Sequence, residues 1–199
     1  MMINVAVEGP SDEEAARAVI RAAGRSVDRV IAKGGKTKLD PLVPKYNQAA
    51  QYAPWVVFRD SDTECPVELV ARLTAAIGEL SPSFLLRIAH PMTEAWLLAD
   101  RDGFADYFKV RRHDLPVSPE TLPHPKQAVL SLCADSRSRD IRNDVVTRGR
   151  KTGPLYVQRI NEFAKTRWSV ESASAISDSL RRAVDRIREL PTPTGGTSA

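Results

Sequence analysis

Cysteine is scarce in this chain: Cys65 and Cys133 are its only two among 199 residues, and no Cys-x-x-Cys pair occurs. Neither a zinc site nor a disulfide framework is expected, and two reduced thiols remain. Histidine is equally thin, because His90, His113 and His124 share no metal-ligand spacing and none stands out as a general base. No apolar run approaches the roughly 18 residues needed to cross a bilayer. The opening Met1-Met2-Ile3-Asn4 is not a charged segment leading into an apolar stretch. No membrane contact and a cytoplasmic location are the expectations that follow. Aromatics are only 6% of the residues, and Trp55, Trp96 and Trp168 lie in apolar or helical contexts that favour core packing over base stacking.

A nucleotide-binding loop is also missing. Gly35-Lys36-Thr37 ends like G-x-x-x-x-G-K-[ST], but the opening glycine would fall on Val30. No organic cofactor is therefore predicted. Lys36, with Lys33 and Lys38, still forms a basic loop that either touches phosphate or serves as an ordinary connection.

What is present suffices for one sizeable core, with 42% hydrophobic and 27% charged residues. Ile3 to Val7 reads as a buried strand, and Ser11 followed by Glu14 has the spacing of a capping box that opens a helix ending at Gly24. A second strand is predicted over Val27 to Ala32, a helix around Leu42 to Tyr52, and a third strand over Trp55 to Phe58. A helix over Val67 to Ile77, a strand over Phe84 to Ala89 and a helix entered at Pro91 and running to Asp100 complete the alternation. Strands alternating with helices predict a mostly parallel α/β sheet flanked by helices. Beyond Asp102 only helices are legible, over Lys126 to Cys133, Leu155 to Lys165 and Ser179 to Leu190. The predicted organisation is an α/β core over residues 1–105, a helical C-terminal extension packed on it over 106–190, and a disordered tail over 191–199.

Charge is unevenly spread. Between Arg137 and Lys151 stand Arg137, Arg139, Arg142, Arg148, Arg150 and Lys151 against Asp140 and Asp144, an excess equal to the whole chain's net +4. A concentrated basic stretch suits a polyanion, here DNA or RNA, although such runs are also ordinary solvated faces. Lys36, Arg148, Arg150 and Lys151 are the candidate nucleic-acid contacts.

The chemistry-bearing pattern is acidic. Glu8 ends the first strand, Asp12 opens the following helix, and Asp60 and Asp62 follow the third strand. If the extended backbone continues, period two turns both aspartates to one side. Glu94 lies in the first turn after the fourth strand. Parallel sheets bind ligands beyond the carboxyl ends of their strands, and Mg²⁺ is held by one or two carboxylates together with substrate phosphates. Glu8, Asp12, Asp60 and Asp62 are the candidate ligands for Mg²⁺ or Mn²⁺. Glu8, Asp60, Asp62 and Glu94 are candidate catalytic acids, with Lys126 as a cation for a scissile phosphate. Asp12 and Glu94 also suit helix N-termini regardless of function, and Asp60 and Asp62 suit a turn.

These residues resemble the TOPRIM domain of topoisomerases, primases and the overcoming-lysogenization-defect nucleases. In that family a Glu after the first strand and an Asp-x-Asp after a later one bind Mg²⁺ for phosphodiester cleavage or transfer. Glu8-Gly9 and Asp60-x-Asp62 are the matching positions, and the spacing of Glu8 and Asp12 is similar to the metal-binding acids of the nuclease group. Thr93-Glu94-Ala95-Trp96-Leu97-Leu98-Ala99-Asp100, Pro123-His124-Pro125-Lys126, Gly153-Pro154-Leu155-Tyr156 and the stretch from Trp168 to Leu180 resemble small TOPRIM-like proteins associated with bacterial anti-phage defence. The chain departs from the two-metal pattern near the fourth strand, where Glu94 stands in place of an Asp-x-Glu. The resemblance implies a TOPRIM/Rossmann-like sheet and a Mg²⁺-dependent nuclease or related phosphodiester phosphoryl-transfer enzyme. The alternative is a non-catalytic nucleic-acid- or partner-binding component of a defence system, with an ATPase as a candidate partner protein. A third reading takes Asp60-Ser61-Asp62-Thr63 as the opening motif of a haloacid-dehalogenase-type phosphatase, a motif that normally sits on the first strand.

Overall fold

Alternation along the strands divides the apolar side chains between two layers. In a computed structural model that describes residues 2–191, the strands β1 (Met2–Val7), β2 (Ser26–Ala32), β3 (Trp55–Asp60) and β4 (Phe84–Ala89) form one sheet. Their order is β2-β1-β3-β4 and every pairing is parallel. Ile3, Val5, Val7, Val56 and Phe58 face one buried layer, while Ala6, Trp55 and Val57 face the other. Both faces of β1 and β3 are covered, as a parallel sheet requires.

The smaller layer is built by α2 (Lys36–Leu39), α3 (Val43–Ala49) and α4 (Pro66–Thr74), which supply Leu39, Val43, Tyr46, Leu69 and Leu73. The larger one is built by α1 (Glu13–Ala22), α5 (Thr93–Ala99), α6 (Arg101–Phe108), α7 (Pro125–Ala134), α8 (Arg139–Val145), α9 (Tyr156–Thr166), α10 (Val170–Ser174) and α11 (Asp178–Arg188). A two-stranded hairpin, β5 (Val146–Thr147) and β6 (Lys151–Thr152), joins α8 to α9. The helices from Arg101 onward share a continuous apolar cluster with β1 and α1, so the helical C-terminal part caps one face of the sheet. Among the described residues no helix is long and apolar enough to cross a membrane.

Trp55, Trp96 and Trp168 are all buried, and Trp96 Nε1 donates to Ser179 Oγ at 2.7 Å. Glu120 accepts from Ser177 Oγ at 2.6 Å and Ser179 N at 2.9 Å, fixing the start of α11 against α5. Cys65 is exposed, Cys133 is buried, and both are free thiols.

Several boundaries differ from the sequence expectations. The third strand runs two residues further, through Arg59 and Asp60, because Arg59 is buried by ion pairs that an apolar pattern does not reveal. Lys36 to Lys38, expected in the basic loop that starts at Lys33, belong instead to a helical turn that runs to Leu39. Pro91 lies outside α5, which begins at Thr93; its carbonyl instead accepts from Asp62 N at 2.8 Å. The box expected between Ser11 and Glu14 is displaced by a 3₁₀ turn over Pro10–Asp12, in which Gly9 N donates to Asp12 Oδ2 at 2.8 Å. Glu14 N is capped from afar by Asn161 Oδ1 at 3.2 Å. Of the predicted tail, residues 192–199 lie outside the described residues.

The link from hairpin to α9 depends on Gly153. A Cβ there would stand 2.5 Å from the Asp144 carbonyl oxygen and 2.6 Å from Val146 N. Gly153→Ala is expected to lower stability by about 1–3 kcal/mol, as overpacking does. Gly78→Ala, where a Cβ meets nothing within 4 Å, should leave it unchanged or slightly raised. Urea denaturation midpoints for the two variants check the contrast.

Candidate functional site

The strand order fixes where a ligand can sit. From β1 the chain moves to β2 on one side and returns to β3 on the other, so the loops after β1 and β3 diverge and open a crevice at their carboxyl ends. Glu8 follows β1 and Asp60 ends β3, so both occupy that switch point. Asp12 comes from the 3₁₀ turn before α1, and Glu94 from the first turn of α5 behind β4.

Two groups of acids form there. The first surrounds Arg59, whose side chain is 1% exposed although it lies beside the crevice. Its Nε donates to Asp40 Oδ1 at 2.9 Å, and its Nη1 reaches Glu8 Oε2 at 3.1 Å and Asp62 Oδ2 at 3.5 Å. It also bonds the Asp60 carbonyl. Lys36 Nζ adds a second cation to Asp62 at 2.8 Å. Burial opposes the charge of Glu8 more strongly than Arg59 favours it, so the Glu8 carboxyl stands above its ordinary pKa.

The second group is Asp12, Asp60 and Glu94, and no cation stands among the main influences on Asp12 or Asp60. Burial, then Glu94, raise the Asp12 carboxyl from 3.8 to about 7, against the opposing bond from Gly9 N. Asp60 is pushed well above the usual carboxylate range by burial and then by Asp12, Glu94 and Glu8, even though its Oδ1 accepts from Thr93 N at 3.0 Å and Thr93 Oγ1 at 3.1 Å. Tyr156 donates its hydroxyl to Glu94 Oε1 at 2.8 Å within the protein. Lys126 Nζ lies 4.9 Å from the Tyr156 ring centroid, which brings the candidate lysine to the edge of the same group.

Asp60 and Asp62 do not share a face through continued strand. The strand ends at Asp60, and Asp62 takes φ +53°, which turns its carboxylate toward Arg59 and Lys36. The loop is braced by Ser61, whose Oγ pairs with His90 Nδ1 at 2.8 Å. The glycines before Lys36 also have a role. Gly34 and Gly35, at φ +75° and +114°, aim their N–H groups at the Glu8 carbonyl at 2.7 and 2.8 Å, so those donors are occupied rather than offered to phosphate.

Arg148, Arg150 and Lys151 are exposed on the β5–β6 hairpin. The hairpin is held against α7, where Gln127 Nε2 donates to the Arg150 carbonyl at 3.3 Å and Arg150 Nη1 to Ser131 Oγ at 3.3 Å. Gln127 is the neighbour of Lys126, and the hairpin leads through Gly153 into Tyr156, so the basic surface adjoins the acidic group. Arg137, Arg139 and Arg142 belong instead to α8 and the turn before it, where Arg142 bonds the Ser136 carbonyl.

Carboxylate oxygen donors such as these suit a hard ion such as Mg²⁺. Among the described residues no three Asp, Glu, His or Cys side chains stand close enough to enclose an ion on their own. Mg²⁺ keeps most of its waters and takes one or two carboxylates, so Asp12 and Asp60, with the carboxylates of Glu8 and Glu94 at the same site, fit it in donor chemistry.

The raised carboxyls set a pH dependence. Unfolded, Asp12 loses its proton near 3.8; folded, near 7. Between these values the folded state binds more protons, so the contribution of Asp12 to stability falls as pH rises through that interval and is level above it. Thermal melts in chelator from pH 4 to 8 should therefore show Asp12→Asn gaining on the parent chain as pH rises. A constant difference between the two would contradict the assignment.

Sequence reasoning missed Arg59, Asp40, Thr93 and Tyr156. Arg59 carried a signal, being a lone cation at the end of the buried run Trp55-Val56-Val57-Phe58. Tyr156 carried none, since its partner Glu94 is 62 positions away. Comparison of the chain with protein-family models, with curated proteins and with solved structures gave no match.

Proposed function

We propose that this chain is a Mg²⁺- or Mn²⁺-dependent phosphodiesterase of TOPRIM type that acts on nucleic acid. The observation that carries the reading is the set of carboxylates after β1 and β3 and on α5 at the switch point, where burial and the neighbouring acids raise the proton affinity of Asp12 and Asp60. Asp12 and Asp60 would hold the metal, with Glu8 and Glu94 at its margin. When bound, such an ion neutralises charge developing on phosphoryl oxygens and lowers the pKa of a water.

The remaining work falls to the chain itself. Asp12, raised to about 7 by burial and Glu94, would give up its proton near neutral pH on taking the ion. Tyr156 orients Glu94 by its hydrogen bond to Oε1. Thr93 fixes Asp60 through two bonds to one oxygen, and Arg59 ties Glu8 to Asp62. Lys126 supplies a positive charge for a phosphate, while Arg148, Arg150 and Lys151 give the strand an adjoining cationic track.

A second reading, a non-catalytic nucleic-acid-binding component, is favoured by one observation: Glu8 and Asp62 are already paired with Arg59 and Lys36. Purified chain incubated with single-stranded DNA, double-stranded DNA and RNA, in Mg²⁺, Mn²⁺ or chelator, separates the two. Cleavage that chelator abolishes and Asp60→Ala loses supports the enzyme. Salt-sensitive binding with no cleavage supports the second reading.

A further inference from the structure

The free edge of β4 carries a cavity of about 390 Å³ between α4 and α11, distinct from the acidic crevice. Its walls are mostly apolar, with Val67 and Val70 from α4 and Leu86 and Ile88 from β4. Val67 is 76% exposed there, an apolar side chain without cover. Arg87 and Arg182 supply the positive charge.

Arg87 is the unusual member. Its Nε is buried and has no hydrogen-bond partner, and among the described residues no carboxylate pairs with its guanidinium. Burial lowers its pKa first, and the charges acting on it, Arg186 and Arg182, both repel. The two carboxylates of the cavity, Asp178 and Glu120, are both engaged by groups other than Arg87. Asp178 is held by Arg181 and, at 2.5 Å, by Arg182, and Glu120 binds the hydroxyls and backbone at the start of α11. A part-buried cation facing other cations is unfavourable unless an anion joins it.

We propose that this cavity binds a small organic phosphate, with the phosphoryl group on Arg87 and Arg182 and an apolar body against Val67, Val70, Leu86 and Ile88. Guanidinium forks match phosphate oxygens in pairs. The volume lies within the range of small-molecule sites, roughly 300–1,000 Å³, and the lining has their usual makeup of apolar walls with a few placed polar groups. His90 forms part of the wall and pairs with Ser61, so an occupant touches the residue that braces the loop bearing Asp60 and Asp62.

Calorimetric titration of the full chain in chelator, with adenosine monophosphate and phenyl phosphate as probes, tests the proposal without involving the metal chemistry. Saturable binding of either probe is expected, with inorganic phosphate and adenosine each about tenfold weaker or more, since each lacks half of the contact. Arg87→Gln should weaken the probe by about tenfold or more, in line with loss of a charged hydrogen bond. Arg182→Gln, at an exposed side chain, should weaken it too and serves if Arg87→Gln does not fold. Asp60→Asn should bind as the parent does, so failure of the nuclease reading leaves this result intact. No saturable binding of either probe overturns the proposal, as does affinity unchanged in the arginine variants or inorganic phosphate binding as tightly as the esters.

Discussion

Arg59→Met is expected to lower the unfolding free energy by about 3–5 kcal/mol, the usual cost of removing one partner from a buried ion-pair cluster. The reason is the asymmetry of what remains. Arg59 is 2% exposed and touches Asp40, Glu8 and Asp62, so its removal leaves three carboxylates facing one another with only Lys36 beside them. Lys36 is half exposed, and Lys36→Met should cost no more than about 1 kcal/mol, as a surface pair does. Adding Asp40→Asn to Arg59→Met should recover part of the loss, because it removes one of the stranded charges. Denaturant unfolding of the three variants measures this. A change within about 1 kcal/mol for Arg59→Met would mean the cluster is solvated rather than buried.

Asp60→Asn should separate stability from activity. The amide oxygen of asparagine can still accept from Thr93 N and Oγ1, so the local geometry is retained. The side chain no longer has to ionise beside Asp12, Glu94 and Glu8, which is why its carboxyl holds a proton well above the usual range. At neutral pH the variant is expected to melt higher than the parent, by about 2–4 °C for each kcal/mol relieved in a chain of this size. Under the proposed function, metal-dependent cleavage should fall by about a hundredfold or more, since even groups that support a metal ligand typically matter by about 10–100-fold. Opposite signs in the two readouts are what a site retained for chemistry produces. Lower stability together with unchanged cleavage would make Asp60 a structural turn residue.

The fold was legible where apolar side chains alone decide the backbone. Phe84 to Ala89 is an apolar run broken only by Arg87 and forms β4 with those limits. Trp55 to Phe58 was readable as strand, but Arg59 and Asp60 were not, because Arg59 is held by Glu8 after β1 and Asp40 after α2, and Asp60 by Thr93, partners that no local pattern displays. Lys33 to Lys38 reads as basic loop, yet a helical turn begins at Lys36 because Leu39 is drawn into the smaller layer. For the site, spacing located the acids at strand ends. It did not divide them, since Asp62 turns away only through its left-handed backbone, and Glu8 is drawn to Arg59. Tyr156 and Asn161 enter from α9, more than a hundred residues beyond β1, and only packing brings them to the crevice.

The most direct test of the central claim is calorimetric titration of the intact chain with Mn²⁺ at about pH 7, repeated in buffers of different ionisation enthalpy. Carboxyls that hold protons near neutrality must release them to a cation. Saturable binding is therefore predicted, with measurable proton release that diminishes in Asp12→Asn, and with affinity lost in Asp60→Asn. Absence of saturable binding, or binding that neither substitution alters, would contradict it.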